Sequence, residues 1–219
     1  MNKRPAKSTA AVQMHSTKGQ RDTMTPREFV DRDRDAMDEY YDLCEKYTGR
    51  NKKTIKSKLT KLIEKDPDFL DSYLLLFNIL KEEANMKEAE KVLDKAYKRA
   101  IALITDENGN WPAVLEWGWL ENRHIIRTIL NKALFLWTQK SNEDALTLLR
   151  ALLKAAPRDS IGARHYILGI RMGLTFQQFE NRFKRGGFYH MDLFDWFDEN
   201  FHTFPDEFDW WEKAVEEYE

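Results

Sequence analysis

Apolar and polar positions alternate with helical spacing along most of the chain, and one spaced set occurs twice. Counting from Tyr73, apolar or small residues fall at Leu76, Phe77, Leu80, Ala89, Leu93 and Ala96. Counting from Ile129, the same offsets give Ala133, Leu136, Ala145, Leu149 and Leu152, and Pro157 closes the unit. Such a pattern predicts a helix–turn–helix repeat of about 34 residues. A degenerate copy starts at Glu39 and reaches Leu43, Ile55, Leu59, Leu62 and Pro67. A shorter fourth unit runs from Ser160 through Tyr166, Ile167 and Ile170, turns at Gly173, and faces Phe176, Phe179 and Phe183 inward.

Punctuation between these runs sets the remaining boundaries. Thr25-Pro26, with Glu28 following, reads as a helix start. Gly49-Arg50-Asn51 breaks the chain, and Lys65-Asp66-Pro67 ends a helix because the residue before proline avoids the helical region. Between Ile101 and Ile129 the register fails. Asp106–Asn110 is rich in turn formers. After Trp111-Pro112 the pattern predicts one overlong helix, or a short extra helix ending near Gly118, with Gly118 as a kink.

The repeats resemble the tetratricopeptide family. The match covers residues 36–183 and is carried by Leu80, Ala89, Leu93, Ala96, Ala133, Leu136, Ala145, Leu149 and Pro157. The small residues let paired helices approach, and the leucines fill the space between them. The chain departs from the family at Phe77, at Ile101 and in the large insert. What the resemblance implies is an all-α fold, an irregular TPR-like α-solenoid of about four helix pairs. Its concave face, lined by the first helix of each pair, would bind another protein. Carried over by position, the partner-binding residues are Asn78, Arg127, Asn131, Arg164 and His165. Guanidinium and amide donors suit an acidic or mixed acidic-apolar segment. Leu74 and Leu130 stand where a carboxylate-gripping subclass has polar residues, so a mixed apolar and basic groove is expected instead.

Composition narrows the classes. The chain has 219 residues, 42% apolar, 28 of them aromatic, and a mean hydropathy of −0.69. No run approaches the roughly 20 apolar residues of a membrane span, so no membrane partner is expected. Glycine and proline are scarce, at 9 and 6, which disfavours a turn-rich β fold. The single cysteine, Cys44, excludes an intrachain disulfide and points to a reducing, cytoplasmic setting.

The net charge of −2 conceals an asymmetry. Residues 1–21 carry five bases and no acid, whereas 188–219 carry eleven acids against Lys213. The expected organisation is a disordered basic tail at 1–24, a repeat domain at 25–187 with an insert at about 102–120, and an acidic aromatic cap at 188–219. The tail has faint likeness to a transit peptide, and Lys3–Lys7 to a nuclear import signal; plain disorder is simpler. In the cap, Phe194, Phe197 and Phe201 should pack on the fourth unit. Alternatively, Phe208, Trp210 and Trp211 occupy the groove.

No catalytic residue, metal site or cofactor is assigned. Glu121 and His124 share a helical face, but a helical-bundle metal site needs further carboxylates. Two other classes stay in view. A small glycoside-hydrolase-like enzyme could use paired C-terminal acids such as Asp195, Asp198, Glu199 and Asp209. A nucleic-acid accessory could use the lysine-rich helix at 52–65, although its lysines lack interleaved aromatics and a nucleic-acid partner is not the expectation.

Overall fold

The computed structural model describes residues 35–216, so the helix start at Thr25-Pro26 and the basic tail lie outside the described residues. Ten α-helices and one two-stranded hairpin make up the regular structure among them. The fold is all-α. None of these helices is long and apolar enough to cross a membrane.

The first eight helices follow one another in pairs: α1 (Asp35–Lys46) and α2 (Lys52–Lys65), α3 (Asp71–Glu82) and α4 (Met86–Ile104), α5 (Leu120–Thr138) and α6 (Asn142–Ala155), α7 (Ala163–Arg171) and α8 (Phe176–Phe183). Each packs on the next in the chain, and α3 also packs on α5. The cause is visible in each apolar stripe. In α2, Ile55, Leu59, Leu62 and Ile63 are buried while the lysines ring the other faces. In α4 the buried stripe is Ala89, Leu93, Ala96, Ala100 and Ile104, a period of 3.6 residues.

Three of the four turns within pairs have the same backbone construction. Ala84, Lys140 and Gly173 take positive φ (56°, 64° and 76°). The next residue in each case donates its N–H five positions back, Asn85 to Leu80, Ser141 to Leu136 and Leu174 to Gly169, at 2.9–3.0 Å. This left-handed C-cap closes the helix end and aims the chain back along it. The links between pairs also repeat: Asp66 N–H closes on Leu62 and Ala156 N–H on Leu152, each just before a proline.

The small residues of the pattern lie at contacts between helices. Ala89, Ala96, Ala133 and Ala145 are all fully buried. Leucine at Ala89 or Ala145 adds volume where none is free, which costs about 1–3 kcal/mol. Both variants should melt several degrees below the parent in a thermal circular-dichroism scan. Parental melting in both would disprove the packing assigned to these positions.

The insert is a correction to the sequence reading. Residues 105–119 are not helical, and α5 begins only at Leu120. Pro112 cannot donate to a helical ladder. Leu115, buried, donates its N–H to Ala155 O at 2.8 Å and ties the segment to the end of α6. The carbonyls of Glu116 and Trp117 are taken by the side chains of Asn122 and Arg123. Gly118 is thus a loop residue and kinks no helix.

After α8 the chain makes a hairpin, β1 (Lys184–Arg185) against β2 (Phe188–Tyr189), around Gly186-Gly187 with φ of 61° and 91°. Two adjacent positive φ values define the tight turn that suits strand twist, which glycine adopts without steric cost. Helices α9 (Asp192–Asn200) and α10 (Pro205–Glu216) follow, joined by a 3-10 turn. Helix α9 packs on α7 and buries Leu193, Trp196 and Phe197. Of the expected trio, Phe197 and Phe201 are buried, but Phe194 is 42% exposed. Phe208 is fully buried, stacked edge-on against Phe197 and Phe201. Trp211 donates its indole N–H to Pro157 O at 2.8 Å. These side chains cover the α6–α7 link and line none of the recesses described next.

Candidate functional site

Helices α3 and α5 run side by side in the same direction, because Asp71 meets Arg127 and, further along, Phe77 meets Phe135 with ring centroids 6.0 Å apart. The trough between them spans about 16 Å from Arg127 to Thr138 at 1.5 Å per helical residue. Its far end opens into a recess of about 530 Å³. Buried Phe77 and Phe135 form the floor with Leu134. The rim carries Asn78, Lys81, Asn131 and Gln139, and α8 and the hairpin supply Glu180, Lys184 and Tyr189. At Thr138 and Phe176 it meets a second hollow of about 610 Å³, bounded by Trp137, Leu174 and Gln177.

The electrostatics of this recess follow from which groups are already paired. Glu180 accepts from Lys184 Nζ at 2.6 Å and from the Tyr189 hydroxyl, so its charge is countered. Burial, with Tyr166 and Glu180 nearby, drives the Tyr189 phenol far above its usual range, which keeps it a donor. Burial also pushes Tyr166 up to about 12. Lys81 lies 5.0 Å from the Phe77 ring centroid and is exposed. Asn131 donates to Arg127 O at 2.8 Å and keeps its amide oxygen for another group. The recess therefore offers donors over an apolar floor, and the one carboxylate among its described lining residues, Glu180, is occupied.

The five residues expected at the groove fall in three places. Asn78 and Asn131 line the recess. Arg127 sits at the other end of the trough, where both Asp71 oxygens accept from its guanidinium; Asp71 is 4% exposed. Arg164 pairs with Asp159 at 3.1 Å and lies over the Phe197 and Trp211 rings, 5.3 Å from each centroid. His165 is buried edge-on against Phe194 and Phe197. Neither Arg164 nor His165 lines the recess, because α9 and α10 cover them. Burial, then the Arg164 charge, lowers His165 to about 3, against a hydrogen bond with the Gly162 backbone that favours the charged ring. Burial raises Asp159 to about 6, although the N–H groups of Ala163 and Arg164 and the Arg164 guanidinium all donate to it. These groups hold the start of α7 under the C-terminal helices.

Sequence reasoning missed Lys81, Phe135, Lys184 and Tyr189. Lys81 lies three residues after Asn78 and thus on the same helical face, a signal that was present. Tyr189 reaches the recess only through the hairpin, whose sequence signal is the Gly-Gly pair.

A second, narrow recess of about 50 Å³ closes the other end of the trough, with Met37, Phe69, Asp71, Leu120, His124 and Arg127 among its lining residues. His124 is 3% exposed, and neither ring nitrogen has a hydrogen-bond partner among the described residues. Glu121 Oε2 is 3.6 Å from its Nε2, beyond hydrogen-bond range. An orphaned buried polar group costs about 1–3 kcal/mol. Among the described residues no group of three or more His, Cys, Asp and Glu side chains could hold a metal ion.

On α2, Lys52, Lys56 and Lys65 pair with Glu82, Glu83 and Glu39, so half of its six lysines face acids. Asp195, Asp198, Glu199 and Asp209 are exposed, and none lines either recess. Glu207 is buried but bound by Arg150 and Arg171. Compared with protein-family models, with curated proteins and with solved structures, the chain finds no match in any of the three.

Proposed function

We propose that the chain is a tetratricopeptide-like helical repeat protein that binds a segment of another protein in the α3–α5 trough and performs no chemistry of its own. The thrice-repeated turn at Ala84, Lys140 and Gly173 supports the repeat reading. The observation that carries the binding reading is the recess itself, with aromatic rings at its floor and, at its rim, Lys81, which meets no carboxylate among the described residues. A volume of about 530 Å³ accepts one or two apolar side chains, and the trough length fits an extended segment of about five residues at roughly 3.3 Å each. The partner segment is acidic and apolar, with its carboxylate at Lys81 and its backbone at Asn78 and Asn131. Arg127 and Arg164 drop out of the earlier set because Asp71 and Asp159 already neutralise them. The setting is cytoplasmic and reducing, with Cys44 a free thiol.

A displayed peptide library selected on the full chain tests this. Selected peptides should place an acid beside a large apolar residue. Their affinity should fall at least tenfold for the Lys81→Glu, Asn131→Ala double variant and should weaken with added salt. Equal binding by parent and variant would remove the recess as the site.

A further inference from the structure

We propose that the narrow recess at the start of α5 is a second binding site, which takes the phenol hydroxyl of a tyrosine presented by a partner. The first observation is His124. It lines the recess, is almost fully buried, and has both ring nitrogens without a hydrogen-bond partner among the described residues. A neutral imidazole carries one donor and one acceptor, so this ring is built to meet a polar group that comes from elsewhere. The second is the size. About 50 Å³ admits one or two small polar groups and no second ring.

Charge selects among those groups. Arg123 and Arg127 line the recess together with Asp71 and Glu121. An ammonium would lie beside two guanidinium groups, and a carboxylate or phosphate beside two carboxylates. A neutral hydroxyl avoids both conflicts, because it accepts from a guanidinium and donates to an imidazole nitrogen or a carboxylate oxygen. The rim then decides what carries it. Tyr41 and Leu120 are 51% and 44% exposed, and Met37 stands beside them. A serine or threonine leaves that apolar rim in water, whereas a phenol ring covers it while its hydroxyl enters. An amphipathic aromatic anchor of this kind concentrates binding energy at an interface. His124 and Asn131 are roughly 10 Å apart along α5, within reach of one extended segment, yet this site stands without the larger recess.

The test uses the full chain and small probes. His124 is assigned by the imidazole signal that disappears in His124→Phe, and 4-methylphenol, toluene and benzylamine are titrated in turn with detection by NMR. The expected result is a saturable shift of the His124 signal with 4-methylphenol, at least fivefold tighter than with either other probe. The exposed substitution Tyr41→Ser, which leaves the core intact, should weaken 4-methylphenol at least threefold. The proposal is overturned by an unsaturable response to 4-methylphenol, by toluene binding as well as the phenol, by benzylamine binding better, or by no effect of Tyr41→Ser.

Discussion

Replacement of Glu207 by alanine should be among the most damaging single changes in this chain, at about 3 kcal/mol. Glu207 is 5% exposed and accepts from Arg150 through both oxygens, at 2.7 and 2.6 Å, and from Arg171 at 2.5 Å. Removing one partner of a buried pair leaves the other charges uncompensated, which costs about 3–5 kcal/mol. The lower end applies because Arg150 and Arg171 keep 35% and 23% of their side-chain surface in water. For a chain of this size the melting temperature should fall by about 6–12 °C. The contact fastens α10 to α6 and α7, so the loss should appear first as exposure of the C-terminal aromatics to proteolysis. A melting temperature within a degree or two of the parent's would show that the pair contributes no net stability.

Acid should act through the same contact. Burial alone would raise the Glu207 carboxyl, but the two guanidinium groups outweigh it and hold it below the usual carboxylate range. A depressed folded-state value contributes stability above the ordinary glutamate value, and this is lost as pH falls through the folded one. His165 and Asp159 titrate over overlapping ranges, so the informative quantity is the difference between parent and Glu207→Gln. That difference should shrink below about pH 4. A constant difference down to pH 3 would contradict the assignment.

The second large effect is expected at Gly169, in the last turn of α7. A Cβ there would lie 2.8 Å from Phe179 Cδ2 and 3.1 Å from the Trp137 ring. Phe179 is fully buried and Trp137 is 2% exposed, with its indole N–H held by Leu174 O at 3.0 Å. Neither ring has room to move, so alanine should cost about 1–3 kcal/mol through overpacking. Leucine should cost more and displace α8 from α5. Because α8 and the hairpin form one wall of the large recess, Gly169→Leu should also weaken binding there, without touching any group at the rim. Urea unfolding measures the first effect and peptide affinity the second. Parental stability in Gly169→Ala would mean that the rings repack freely.

The sequence by itself determined the helices and their order. Ile55, Leu59 and Leu62, or Ala145, Leu149 and Leu152, leave one stripe to bury, and any fold must put it inside. It determined the small positions, since Ala89 and Ala145 recur at one offset, and the stops at Pro67 and Pro157, since proline cannot donate. It did not determine turns whose left-handed residue is Ala84 or Lys140. Only their place at the end of a packed helix favours that conformation, and nothing local encodes it.

Nor did it determine which polar groups meet. Asp71 and Arg127 are 56 residues apart, and Arg150 and Glu207 are 57 apart. Charge pairing at such separations depends on which faces the packed helices present, and a one-dimensional pattern does not contain that. Tertiary structure alone therefore decided that Arg127 and Arg164 are occupied, that Lys81 meets no carboxylate among the described residues, that α9 and α10 bury His165, and that the His124 ring nitrogens have no hydrogen-bond partner among those residues.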